Sequence, residues 1–311
     1  MTQLQTLARN DDYLITLHRP DRPSADVIVI TFGGMPSGLA ASGFGTTFCL
    51  SKGWTTIYVA QRALSQYQGL DLAAFQAAVA PVVDKRDVVC YGSSLGGYAA
   101  LYYGGAINAR IIAAAPRLPA WPPITSPHLS IPLAHKPLGD GPRSMSAPVV
   151  IYDPKVAHDC TTVEQMVKPA YPDVRLVELP HFGHTVLAAI AAAGALPTFM
   201  ATLIRDDVLL PLEMPTDANP GWHFRKGQSL ARTEPRIALD HFRRFFDLAP
   251  SSRSLSVLLN QLISTAGIDD AQRLLDRAEE MGDPDLVLSP HVTQRAIKAG
   301  LVLHQRGAPL D

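Results

Sequence analysis

Two adjacent serines, Ser93 and Ser94, sit inside the glycine-rich stretch CYGSSLGGYAA from Cys90 to Ala100. A serine hydroxyl becomes a nucleophile when a turn exposes it and a base takes its proton. The G-x-S-x-G pattern supplies the turn: a strand ends, the chain bends sharply into a helix, and only small residues fit two positions either side of the serine. Centred on Ser94, those positions hold Gly92 and Gly96; centred on Ser93 they hold Tyr91 and Leu95, which would clash. Ser94 is therefore the candidate nucleophile and Ser93 its structural neighbour. DVVCYG before it reads as a strand and LGGYAALYYGG after it as a helix, which is the context the pattern requires.

Such a serine needs a histidine base, and the base a carboxylate to orient it, in the chain order Ser, Asp, His for this kind of scaffold. VRLVELPHFGHTV offers a strand followed by a loop with two histidines. His184, preceded by Gly183, is the expected base; His181 is the second choice and a candidate pocket residue. Asp159 is the expected acid, before a helix start at TTVEQM with threonine caps. Asp153, at the end of the strand PVVIY and before a proline, is the fallback. ITFGGMPSG follows an earlier strand, and the backbone N–H of Gly34 or Met35 there can join that of Leu95 in holding an oxyanion.

The elements that must position these groups are legible as β-branched runs separated by helix-length stretches. The runs are Asp26–Thr31, Thr55–Val59, Asp87–Cys90, Arg110–Ala113, Pro148–Tyr152 and Val174–Glu178. Continuous apolar runs of this kind predict a parallel sheet covered on both faces. YLITLHRP is expected to add an antiparallel edge strand. Between Pro116 and Ala147 the chain is too rich in proline for a regular helix or inner strand, and it reads either as a lid or as a proline-stiffened surface excursion. Trp121 in that segment, with Tyr98, Phe182 and Met35, could line an apolar acyl pocket or simply pack in the core. Two domains are expected, 1–212 and 213–311.

From Gly221 onward helical periodicity replaces the strands. Trp222, Ala238, Phe242 and Pro250 follow the spacing of a tetratricopeptide-like helix pair, and Ala271, Leu275 and Ala278 repeat its second half. Gly227 falls one position late for that pattern, and Asp283 stands where Pro284 is expected. One and a half such units cannot close a core alone, so they should pack on the preceding body or on a partner; a generic helical tail is the alternative reading.

Taken together, FGGMPSG, YGSSLGGYAA, YDPKVAHD and LPHFGHT resemble the α/β-hydrolase superfamily over roughly residues 10 to 212. The resemblance implies an α/β-hydrolase fold in which Ser94 forms an acyl-enzyme, His184 shuttles protons and Asp159 orients the imidazole. FGG in place of the usual HG at the oxyanion strand, and YDP in place of HG after the acid's strand, mark a divergent branch. The expected activity is hydrolysis of a carboxylic ester or thioester. Acyl transfer to another hydroxyl by the same triad is the near alternative, and a non-catalytic scaffold with a partner-binding tail is the distant one.

Composition narrows the remaining classes. Hydrophobic residues make up 47% and charged ones 18%, with a formal charge of -1, so nothing points to nucleic acid as a partner. The histidines lack paired metal spacing, and Gly33–Gly34 lacks the further glycine of a dinucleotide turn; neither metal nor cofactor is expected. Three cysteines without metal-ligand spacing and an N-terminus without an apolar core predict a reduced, cytoplasmic protein. The uncharged stretch from Thr185 to Ile204 is expected to form two short buried helices rather than a membrane span, because Gly194 and Pro197 interrupt it. A small-molecule substrate is expected, with a protein partner or a second copy of the chain at the tail.

Overall fold

The computed structural model describes residues 3–24, 27–265 and 267–303. Eight strands form its sheet: β1 (Gln3–Arg9), β2 (Tyr13–Arg19), β3 (Val27–Phe32), β4 (Thr55–Gln61), β5 (Asp87–Ser93), β6 (Arg110–Ala114), β7 (Val149–Tyr152) and β8 (Arg175–Glu178). Their order across the sheet is β1-β2-β4-β3-β5-β6-β7-β8. β2 runs antiparallel to both β1 and β4, and every pairing from β4 to β8 is parallel. Asp26, expected to open β3, lies outside the described residues.

Successive residues in the central strands are buried alike: Val29 and Ile30 in β3, and Val89 and Cys90 in β5, have no exposed surface. Their side chains point to opposite sides, so both faces of the sheet are covered. The covering helices are α1 (Thr46–Ser51), α2 (Leu72–Val83), α3 (Leu95–Gly104), α4 (Ala157–Thr162), α5 (Lys168–Ala170), α6 (Val186–Ala192) and α7 (Leu196–Asp206). The result is a mostly parallel eight-stranded sheet with helices on both faces, the architecture expected from the sequence.

One expectation changes here and another holds. YLITLHRP is not at the edge; β1 lies outside it, pairing Gln3 with Arg19 and Arg9 with Leu14. β1 is mostly exposed, so it carries none of the apolar signal that marks an inner strand. The uncharged stretch after His184 forms the two short helices α6 and α7, bent by 118° around a break at Gly194, which sits at φ 74°. Among the described residues no single helix is long and apolar enough to cross a membrane.

The chain divides into two compact units, Met1–Met214 and Pro215–Asp311. The second holds α8 (Pro220–Leu230), α9 (Pro235–Leu248), α10 (Ser252–Thr265), α11 (Ile268–Glu280) and α12 (Pro290–Lys298). Phe224 meets Phe245 and Gly227 faces the Phe242 ring, so α8 and α9 run antiparallel. A Cβ on Gly227 would lie 2.6 Å from that ring, so only glycine lets the two helices approach this closely. The expectation that this region lacks a core of its own is corrected. Phe246, Leu259, Ala271 and Ala296, from four different helices, are fully buried in one apolar cluster. The helices α10 and α12, which the repeat spacing did not reveal, are what close it.

Candidate active site

β5 delivers Ser94 to a turn that only glycine neighbours permit. Ser94 has φ 55° and ψ −121°, a backbone region that costs a non-glycine residue of order 1–3 kcal/mol and is found where structure over-determines it. A Cβ on Gly92 would lie 1.9 Å from the carbonyl oxygen of Gly96, and one on Gly96 would lie 2.5 Å from that of Phe32. Both glycines are therefore obligatory for close approach, as the spacing of the motif required. Ser93 ends β5 and pairs with Ala114 in the sheet.

From Ser94 a hydrogen-bonded chain runs inward. His184 Nε2 lies 2.9 Å from Ser94 Oγ, and His184 Nδ1 lies 2.9 Å from both carboxylate oxygens of Asp159. Asp159 has no exposed surface. It stands in the first turn of α4, a helix that passes through a π-helical turn (Val163–Val167) into α5. Such turns within helices recur at functional sites.

The fallback acid, Asp153, has another task. Its Oδ1 accepts the backbone N–H groups of Lys155 (2.8 Å) and His181 (3.0 Å), and its Oδ2 accepts that of Gly183 (2.6 Å). Asp153 thus shapes the loop that carries His184 instead of touching the imidazole. His181, at φ 68°, is a buried part of that same loop.

The glycine turn after β3 lies against the start of α3, since a Cβ on Gly96 would also come within 3.4 Å of the Gly33 oxygen. The backbone N–H of Gly33 is engaged with Val59. Those of Gly34, Met35 and Leu95 have no acceptor among the described residues.

The proline-rich segment is anchored rather than loose. Gln66 accepts from the Ala120 N–H and donates to the Leu129 carbonyl, while Gln68 accepts from the N–H groups of Ala134 and His135. His135 stacks on Tyr102 at 4.0 Å, and its Nδ1 lies 2.9 Å from the Tyr98 hydroxyl. With Nε2 donating to the Leu70 carbonyl at 3.1 Å, Nδ1 accepts the tyrosine proton. Burial holds this imidazole below its ordinary value, against the opposing pull of its backbone hydrogen bonds.

Beneath the segment is a cavity of about 270 Å³ lined by Tyr98, Leu118, Trp121, Leu138 and Met166 among others. Tyr98 and Trp121 therefore do share a pocket. Phe182 and His181 are buried but do not line this cavity, and Met35 packs against the main core. A second apolar cavity of similar size lies between Phe48, Tyr91, Leu187 and Met200.

No family model matches the chain, and neither does any curated protein. Solved structures similar to it include a serine hydrolase without lid from Xanthomonas campestris, 19% identical, covering 65% of this chain and 95% of that one at a TM-score of 0.38. Mouse alpha/beta hydrolase domain-containing protein 10 is 16% identical and covers 66% of this chain and 100% of that one, with a TM-score of 0.43. Pyrococcus horikoshii acylaminoacyl peptidase is 11% identical and covers 68% of this chain and 43% of that one, with a TM-score of 0.44.

One charged group at the site escaped the sequence reading. Arg117 donates from Nη2 to Asp159 Oδ1 at 2.6 Å, and its own backbone N–H donates to the Ser94 carbonyl at 3.0 Å. Its only sequence signal is its place just past the carboxyl end of β6, where sheets of this kind gather ligand-facing residues. Among the described residues no group of three or more His, Cys, Asp or Glu side chains could hold a metal ion.

Proposed function

We propose that the protein is a serine hydrolase that cleaves a carboxylic ester or thioester through a covalent acyl-enzyme. The observation that carries this reading is the continuous chain Ser94 Oγ, His184 Nε2, His184 Nδ1, Asp159, which begins on a strained strand-to-helix turn. With Nδ1–H donated to Asp159, Nε2 presents a lone pair to the serine hydroxyl and takes its proton as Oγ attacks the carbonyl carbon. Asp159 stabilises the imidazolium that forms. The free N–H groups of Leu95 and of Gly34 or Met35 would receive the tetrahedral oxyanion, a contribution of order 3 kcal/mol per donor in enzymes of this chemistry. Collapse of the intermediate expels the alcohol or thiol with the proton from Nε2, and water repeats the sequence in reverse.

We assign the cavity of Tyr98, Trp121 and Met166 to the acyl group, because it opens beneath the segment that follows the Ser94-bonded Arg117. If an alcohol enters in place of water, the same acyl-enzyme gives acyl transfer. The antiparallel pairing of α8 and α9 supports a tetratricopeptide-like helix pair in the second unit, and such a module would serve a protein partner.

Labelling with a fluorophosphonate probe, beside Ser94→Ala and Ser93→Ala, tests the reading. Labelling is expected in the wild type and in Ser93→Ala and absent in Ser94→Ala; a folded wild type that neither labels nor cleaves p-nitrophenyl acetate would overturn it. An ester panel of increasing acyl length then reads the size of the acyl seat.

A further inference from the structure

The acid of the hydrogen-bonded chain is itself held by a cation. Arg117 Nη2 and His184 Nδ1 converge on the same oxygen, Asp159 Oδ1, at 2.6 Å and 2.9 Å. The Asp159 side chain is wholly buried, and that of Arg117 is 21% exposed. Arg117 has no other ion-pair partner among the described residues, and its buried Nε has no acceptor there, so its charge is committed to Asp159. A buried carboxylate beside a neutral imidazole would otherwise lie uncompensated, which is costly. The planar fork of a guanidinium fixes direction as well as charge.

The backbone fixes Arg117 in turn. Its N–H bonds Ser94, and Ala115, two residues earlier, bonds the Ile151 carbonyl at 2.7 Å. Beyond it the proline-rich segment is tied down by Gln66, Gln68 and His135. We propose that Arg117 is a positioning residue: it holds the Asp159 carboxylate turned toward His184, and it makes the seating of the proline-rich segment a condition for an aligned triad. This inference rests on the serine-hydrolase reading for its kinetic test and on geometry alone for its spectroscopic one.

The test compares wild type with Arg117→Ala and Arg117→Lys, using p-nitrophenyl acetate turnover and the low-field proton resonance of the His184 Nδ1–H. Misalignment of a reacting group by an ångström costs on the order of 100-fold, so kcat should fall by about that factor in Arg117→Ala with KM little changed. Arg117→Lys, which keeps the charge, should recover most of kcat, and added guanidinium should rescue the alanine variant but not the wild type. The low-field resonance should shift or broaden in Arg117→Ala and return with guanidinium. Where the alanine variant fails to fold, Arg117→Gln carries the same comparison. A folded variant with wild-type kcat and an unchanged resonance overturns the proposal. So does a loss of kcat that neither lysine nor guanidinium relieves while the resonance stays put, since that marks a structural role only. If the wild type turns over no ester yet its resonance depends on Arg117, the positioning stands and the hydrolase reading falls.

Discussion

At the scale of single residues, two buried aspartates, one just after β7 and one in the first turn of α4, divide the work. Asp153 accepts three backbone N–H groups and shapes the histidine loop, whereas Asp159 faces the imidazole. Their isosteric amides should therefore fail differently. In Asp159→Asn the amide can offer an N–H to Nδ1, which favours the wrong tautomer, and kcat is expected to drop by about 10⁴-fold. In Asp153→Asn one oxygen acceptor is lost from a buried site, which costs about 1–3 kcal/mol, so the melting temperature should fall while kcat drops far less. Ester turnover and thermal melting of the two variants check this. Equal kinetic losses would mean that Asp153 also serves the chemistry. The meeting of Ser94, His184 and Asp159 was legible because the motif is local and the expected chain order places the other two downstream of it. Arg117 was not, because an arginine after a strand becomes informative only once tertiary packing sets a carboxylate beside it.

At the scale of elements, the proline-rich segment owes its fixed seat to polar latches that no periodicity reveals. Its prolines predicted irregular backbone, and irregular backbone is present; the partners, Gln66 and Gln68, lie far away in the sequence. β1 escaped for the opposite reason, since an exposed edge strand need not be apolar. His135 gives the latch a pH signature. Its folded-state affinity for protons is lowered by burial, so as pH falls through about 6.5 the unfolded chain takes a proton that the folded protein resists. The stability from neutral His135 is complete above that range and is lost below it. His135→Gln should melt lower than the wild type at pH 7.5, because the Tyr98 and Leu70 bonds are disturbed. The gap between the two should narrow as the pH is brought to 5. A gap that stays constant or widens would show that His135 does not titrate in the latch.

At the scale of the whole molecule, the large apolar clusters of the two units are drawn from separate stretches of chain. The main cluster runs from Ile15 to Tyr171, and the helical cluster from Phe224 to Leu301. No residue of the proposed chemistry lies in the second. Phe246 is fully buried at its centre and carries an arginine, Arg277, over its ring. Truncating a buried phenylalanine removes both transfer free energy and packing, typically 3–5 kcal/mol, which is a large part of what a small helical unit possesses. Phe246→Ala is therefore expected to lower or abolish the melting transition of the helical unit. The rate at which a fluorophosphonate labels Ser94 should remain that of the wild type at temperatures where the sheet unit is intact, because the groups that align Ser94 all lie before Met214. Calorimetry on the full chain, with labelling rates measured in parallel, reads both quantities. If labelling instead collapsed together with the helical transition, the triad's alignment would depend on the helices as well as on Arg117 and its segment.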